Sequence, residues 1–514
     1  MEQEQDTSIY RARAERYIYS GDLQKVRFAR GSRFSNQSTS HAASKVVRNI
    51  VAAFYGMLDR IMGVQSILLL PTSRDTLLNA YQDVLRVLQS KKIISRVQAV
   101  EERFNDAPWF FRFDVTPAYP DGITDGSTRA NATGYGFGKN EETTLSKSVG
   151  EFLERYFLTL YKKANLLRAS LQSFPRRAQA VDLTLFAGFS DEQQRQDPSR
   201  IVTNNSSMGW EKVERISTGE SYYVPAQFIY WNYKSEEGET FLRESNTNGA
   251  GGFFSREGAL LSGLYELIHR DAFLIFWLNR IAPPKIDPGS IPSEHFQQLL
   301  KESKRYGFAV HCLDITSDLG VPSFSVIIED TYGREPCIVV GASSGSHPAL
   351  TLAHAFEEAW AVYHTVRPLS AYTLPKKYKP FSDRSLGRKT RLQLWSNKDM
   401  AKKFSFFLAG DVKRLSDRTY SFPRSFLNEK SELQTLVSIV ERFGRGYEVY
   451  GFLHDHPILR EVNYSVARVI VPQLVPLYLN ENNVPLGAQR LYEVPKKLGY
   501  APSGERNPLP HPFP

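Results

Sequence analysis

Ser148, Glu151, Glu154 and Arg155 stand three or four residues apart, and such residues share one face of a helix. Two carboxylates a single turn apart repel each other unless a cation lies between or beside them. The pattern therefore suits a hard divalent cation carrying the phosphates of a nucleotide. A partial echo follows at Asn248-Gly249, Glu257, Glu266, His269, Arg270 and Asp271. There the imidazole of His269 interrupts the oxygen ligands that a hard cation prefers. Taken alone, the first group is ordinary and reads first as a solvated helix face with internal ion pairs. The second lies in a strongly apolar helical stretch, where charged side chains need partners.

These groups need helices to hold them. Thr143 or Thr144 is expected to cap the first, with Val149, Phe152, Leu153 and Tyr156 as its buried stripe. Ahead of it, Gly134-Tyr135-Gly136-Phe137-Gly138-Lys139 reads as a glycine-rich turn that lets backbone approach a ligand. It lacks the Gly-Lys-Ser/Thr ending of a Walker loop. Asn246 to Gly252 is a second turn, and Ser255 caps a helix running from Arg256 into the apolar stretch Phe273 to Leu278.

Strand-like runs occur at Trp109 to Phe113, Ser323 to Ile328 and Cys337 to Val340, the last two flanking a hairpin loop. An α+β fold follows. Residues 1–105 are expected to form a mainly helical accessory region, with helices over Val46 to Met62 and Leu77 to Ile94. Residues 366–391, rich in Pro, Lys and Arg, read as an exposed loop or lid, either solvated or facing an anion.

A chain of 514 residues with 41% hydrophobic content can bury a large core. Its net charge of +9 is spread along the chain, permits an anionic partner, and forms no basic run that would mark nucleic-acid binding. Two cysteines, Cys312 and Cys337, exclude a disulfide framework and a cysteine zinc cluster. The polar N-terminus is no secretory signal, and apolar runs such as Ile67 to Leu70 are too short to span a bilayer. A cytoplasmic location without membrane association is expected.

The motif Ser-x-x-Glu-x-x-Glu-Arg at Ser148, Glu151, Glu154 and Arg155 pairs with Asn248, Gly249, Gly252, Glu257, Ala259, Glu266, Arg270, Asp271 and Ala272. Together they resemble the YcaO superfamily. Asp318 to Pro322, the helix Ala349 to Thr365 with Glu357 and Glu358, and the strand Arg468 to Leu474 resemble its later segments. The tail Pro508-Leu509-Pro510-His511-Pro512-Phe513-Pro514 resembles that of its azoline-forming cyclodehydratases. Departures are His269 in place of a glutamate, Ser262 in place of Gln or His, and Ala359-Trp360 where a Gln usually follows.

The resemblance implies a YcaO-like fold of mixed sheets flanked by long helices, with an ATP-binding core over 106–475 and a proline-rich C-terminal segment over 476–514. It implies ATP and Mg²⁺ as cofactors, with Glu151, Glu154, Glu266, Glu357 and Glu358 as candidate metal ligands. Ser148, Asn248 and Glu257 would complete the nucleotide site, also contacted by Glu358. Arg155 and Arg270 would face phosphate oxygens, and a terminal carboxylate on Pro514 would orient substrate or accept a proton. The implied activity turns Cys, Ser or Thr of a precursor peptide into thiazoline or oxazoline rings. An E1-like, leader-binding partner protein and an FMN-dependent dehydrogenase would accompany it. A thioamide- or macroamidine-forming enzyme, and a non-catalytic nucleotide-binding scaffold, are the alternatives.

Overall fold

The computed structural model describes residues 15–18, 74–101, 104–119, 132–501 and 504–513. The helix expected over Val46 to Met62 lies outside them, as does Pro514. Among the described residues the fold is α+β, with antiparallel sheets of four and six strands and a mixed sheet of five packed against long helices.

The first sheet is β1 (Glu15–Ile18), β2 (Ile94–Glu101), β3 (Phe111–Pro117) and β4 (Gly134–Gly138), in that order. Helix α1 (Arg74–Ser90) precedes β2. The helix expected to run to Ile94 ends earlier, because Lys92 takes a positive φ of 55° and turns the chain into β2. The described part of 1–105 is a helix and two strands. Its boundary at 105 falls inside one sheet, since β2 pairs with β3.

Helix α2 (Glu141–Leu158) lies across β3 and β4. Asn140 caps it, its side chain accepting the Thr143 amide at 3.1 Å, so the cap sits earlier than Thr143 or Thr144. Val149, Phe152, Leu153 and Tyr156 are fully buried beneath it. The glycine-rich turn proves to be strand β4, with Gly134, Gly136 and Gly138 buried on one face. A Cβ on Gly136 would lie 2.0 Å from the Thr144 carbonyl oxygen. These glycines serve close helix–strand packing, not a ligand. Gly136→Ala should therefore cost about 1–3 kcal/mol through overpacking, seen as a lower thermal midpoint.

The third sheet runs β5 (Leu167–Ser170), β6 (Ser207–Arg215), β14 (Tyr450–Leu453), β15 (Ser465–Ile470) and β8 (Ala250–Phe253). β7 (Ser221–Pro225) pairs on the far edge of β6. Helix α3 (Arg256–Leu278), capped by Ser255 as expected, packs on β8 and β15 and also reaches the second sheet. That sheet is β12 (Ile338–Ser344), β11 (Ser323–Asp330), β10 (Phe308–Asp314), β9 (Lys285–Ile286) and β13 (Val412–Lys413), in which β13 runs parallel to β9. Its β11–β12 hairpin is the one expected. Helix α4 (Glu294–Arg305) follows β9, and α5 (Pro348–Val366) covers β11 and β12. Then come α6 (Arg388–Ser396), α7 (Glu429–Glu441) and α8 (Arg490–Lys497). No described helix is long and apolar enough to cross a membrane.

Candidate functional site

One long helix from each sheet delivers charge to a shared cavity of about 590 Å³. From α2 come Glu151, Glu154 and Arg155; from α3, Glu266, His269 and Arg270; from α5, His354 and Glu358. The loop ahead of β8 supplies Asn246 and Asn248.

The three helices repeat one device. Each turns a carboxylate onto a main-chain amide of the strand or loop it covers. Glu151 accepts from Tyr135, Glu266 from Gly249 at 2.7 Å, and Glu358 from Ala342 at 2.9 Å. Two of these carboxylates also hold the arginine one turn on. Arg155 reaches Glu151 at 2.7 Å and Arg270 reaches Glu266 at 2.8 Å. Arg155 also donates to the Thr133 carbonyl at 2.7 Å. The guanidinium groups are thereby aimed before any ligand arrives.

Glu154 carries a more strongly raised carboxyl than Glu358. Burial, then the charges of Glu266 and Glu151, push its carboxyl up to about 8, although the Arg155 charge and the Gly252 amide oppose this. A Cβ on Gly252 would lie 2.8 Å from Glu154 Cγ, so glycine alone brings that amide so close. Burial likewise lifts Glu358 to about 7, with Glu266 and Glu151 adding to it and Arg270 opposing.

Four carboxylates with too little positive charge among them are a site for a cation. Both amide atoms of buried Asn248 lack a partner among the described residues, as a polar ligand would require. No three His, Cys, Asp or Glu side chains among the described residues gather closely enough to enclose a metal. Mg²⁺ takes one or two carboxylates and completes its shell with phosphate oxygens and water. The cavity's carboxylates and the unpartnered Asn248 amide fit Mg²⁺ and a polyphosphate.

Some expected residues lie elsewhere. Ser148 is buried beneath α2 and donates to the Gly134 carbonyl at 3.1 Å, outside the cavity. Glu257 opens α3, about 13 Å along the axis from Glu266, where its charge meets Glu429. Glu357 faces away from its neighbour Glu358, because adjacent helical residues diverge by roughly 100°. It pairs with Lys147 at 2.6 Å and His295 at 2.8 Å, which hold it down at about 2 against its burial. That is an ion-pair residue, not a metal ligand of this cavity.

His269 lines the cavity and is buried there. Burial, then Arg270, hold it well below the usual histidine range, and it bonds the Tyr265 carbonyl one turn back. Its Nε2 has no partner among the described residues. It thus offers a neutral acceptor where a carboxylate would have offered charge.

The proline-rich tail docks beside it. Proline has no N–H, so carbonyls are its handles. Tyr378 holds the Pro508 carbonyl at 2.8 Å, Trp277 that of Leu509 at 3.2 Å and Trp395 that of Pro510 at 3.1 Å. Arg391, fully buried, bonds both His511 and the Tyr478 carbonyl. The Phe513 ring then lies against His269 and 5.2 Å from the Arg270 guanidinium carbon.

Arg388 was not expected as a site residue, although its basic segment was noted as an anion-facing possibility. It opens α6 and lines the cavity, within electrostatic reach of Arg155, Arg270 and Glu151. A third arginine facing the same space would carry phosphate charge. Arg388→Ala should raise the KM for ATP about tenfold or more, the loss of one charge-assisted hydrogen bond, with the thermal midpoint unchanged. Steady-state kinetics with varied ATP checks this.

Known proteins of similar sequence or similar shape frame this geometry. An uncharacterized protein of Methanothermobacter thermautotrophicus is 26% identical over 202 residues, 38% of this chain and 52% of its own length. The chain thus spans about half the length of that curated relative. A structure described as a heterocyclase in complex with substrate and cofactor superposes with a TM-score of 0.66 at 20% identity, covering 85% of this chain and 57% of its own. The YcaO protein of Methanopyrus kandleri bound with AMPPCP and Mg²⁺ gives a TM-score of 0.54 at 17% identity, covering 78% of this chain and 90% of its own. These likenesses establish the fold. The family model described as YcaO cyclodehydratase, ATP- and Mg²⁺-binding, matches residues 135–475, and this chain belongs to that family.

Proposed function

We propose that this chain is an ATP-dependent cyclodehydratase that converts Cys, Ser or Thr residues of a ribosomally made precursor peptide into thiazolines or oxazolines. The observation that carries the reading is the convergence of four carboxylates and two pre-aimed arginines on the unpartnered amide of Asn248, with the tail docked beside them.

In the proposed reaction the peptide's thiol or hydroxyl adds to the preceding carbonyl carbon and loses its proton. The oxyanion so formed takes the γ-phosphoryl group of ATP, releasing ADP. Phosphate then leaves with the carbonyl oxygen as the amide nitrogen loses its proton and the C=N bond forms. Such a reaction needs positioning and charge neutralisation more than a protein nucleophile. Arg155, Arg270 and Arg388 hold phosphate oxygens, and Asn248 orients the nucleotide. Mg²⁺ held by Glu151, Glu154, Glu266 and Glu358 would neutralise phosphate charge. Phe513 leads the chain to Pro514, which we assign to orienting the peptide.

An E1-like partner is proposed to recognise the precursor's leader, and an FMN-dependent dehydrogenase to oxidise azolines to azoles. The test is to incubate the chain, partner, Mg²⁺ and ATP with a Cys/Ser-rich precursor and weigh the product. Successive losses of one water per ring are expected. Unchanged peptide despite nucleotide binding would favour a non-catalytic scaffold, and a requirement for added sulfide would favour thioamide formation.

A further inference from the structure

A second groove, of about 990 Å³, lies where the third sheet splits between β6 and β14. The amide of Ile216, just beyond β6, donates to Val449 at 2.9 Å, and Glu214 pairs with Gly451. Farther along the same edge of β6, Trp210 pairs with Leu167 of β5. Antiparallel ladders alternate, so the rung between these pairings joins Lys212 to Leu453. That rung is missing among the described residues. The Lys212 amide donates instead to its neighbour's carboxylate, Glu211, at 2.8 Å.

Leu453 shows the same from the opposite wall. The His454 amide bonds Val466 at 2.9 Å, so alternate residues of β14 face β15 and Leu453 faces the groove. Two strands thus turn main-chain groups toward one space. Nearby, His454 donates through Nε2 to the Leu160 carbonyl at 3.0 Å, while its buried Nδ1 has no partner among the described residues. A donor is wanted there.

The groove adjoins the site already described. Tyr230 lines the groove and Trp231, the next residue, lines the ATP cavity. Likewise the C-terminal half of α2 serves the cavity, and Leu160 just beyond it serves the groove. The rim carries both signs, with Lys91 and Lys212 against Glu214, Asp455 and Glu461. Mixed charge does not suit a polyanion, whereas unpaired strand edges suit peptide backbone.

We propose that this groove binds a short extended segment of the peptide substrate, flanking the residue being modified, by adding it as a strand to Lys212 and Leu453. The Glu211 carboxylate holds the Lys212 amide until a peptide carbonyl replaces it. Edge addition of this kind takes affinity from main-chain bonds and specificity from alternate side chains. The inference rests on the peptide-substrate reading above.

Affinity selection of a random decapeptide library on the full chain tests it without any turnover. Peptides that bind should lose affinity by about two- to tenfold, one main-chain hydrogen bond's worth, at alternate positions of an N-methyl amide scan. Ser221→Trp, which fills the groove from exposed Ser221 of β7, should abolish their binding and leave Mg²⁺–ATP binding intact. No selected peptide, equal binding to Ser221→Trp, or a scan without alternation overturns the proposal. Each of these results is independent of the outcome of the cyclisation assay, so the two readings fail separately.

Discussion

Glu154→Gln is expected to stabilise the ligand-free chain at alkaline pH while removing its ATP-dependent activity. The carboxyl of Glu154 is pushed up to about 8 by burial and by its acidic neighbours, far above an unfolded glutamate. A group raised in the folded state favours folding fully below its unfolded pKa. That contribution is lost as pH rises through the folded value. The ligand-free wild type should therefore lose thermal stability between about pH 5 and pH 9, and the glutamine variant should lose less. Thermal melts at the two ends of that range measure the difference.

The same charge that burial and the acidic neighbours oppose is the one a cation uses. Removing it should lower kcat/KM on the order of 10²-fold or more, as for loss of one preorganised electrostatic contact. Binding of Mg²⁺–nucleotide should expel protons from Glu154 and Glu358, and so tighten as pH rises through about 7 to 8. Titration calorimetry in buffers of different ionisation enthalpy reads this release. A variant as active as wild type, or no stability difference at high pH, would contradict the assignment.

Arg490→Leu should be the most damaging change to the fold. Arg490 and Asp271 are 1% and 0% exposed at their side chains and form a twofold contact at 2.8 and 2.7 Å. Arg490 also reaches Asp318 at 2.9 Å, joining α8, α3 and the turn before β11. Asp271 additionally accepts the Val475 amide at 2.9 Å. Breaking a buried pair from one side leaves an unpaired charge, at a cost of about 3–5 kcal/mol. Asp271→Asn with Arg490→Leu should recover part of that loss, and melts of the single and double variants measure it. A single variant within about 1 kcal/mol of wild type would show that the network carries little stability.

What the sequence revealed of this site was mostly what a helix dictates locally. The spacing of Glu151, Glu154 and Arg155 is a one-helix property, and the structure brings all three to the cavity. The same spacing misled at Ser148, which shares the helix face but sits over Gly134, where the strand beneath takes its hydroxyl. Glu357 and Glu358 were inseparable by pattern because both are acidic and adjacent. Lys147 and His295, distant in sequence, decide which one turns away. The glycines of β4 read as a ligand loop because close helix packing and close ligand approach demand the same missing Cβ.

Arg388 was hidden for a different reason. It opens a helix outside every motif, in a segment whose composition reads as solvated linker, and only the return of α6 toward α2 and α3 places it in the cavity. The open rung at Lys212 was equally invisible, since it is a property of two strands far apart in the chain. The tail was more legible. Alternating prolines predict a stiff segment with free carbonyls, and Tyr378, Trp277 and Trp395 take them in turn.

The central claim is that this cavity activates a peptide amide oxygen with the γ-phosphoryl group of ATP. A precursor peptide carrying heavy oxygen at the carbonyl before one modifiable cysteine tests it directly. Cyclisation by the chain with its partner, followed by mass analysis of the released phosphate, should find the heavy label in that phosphate, one atom for each ring formed. Ring formation that leaves the phosphate unlabelled would contradict the account.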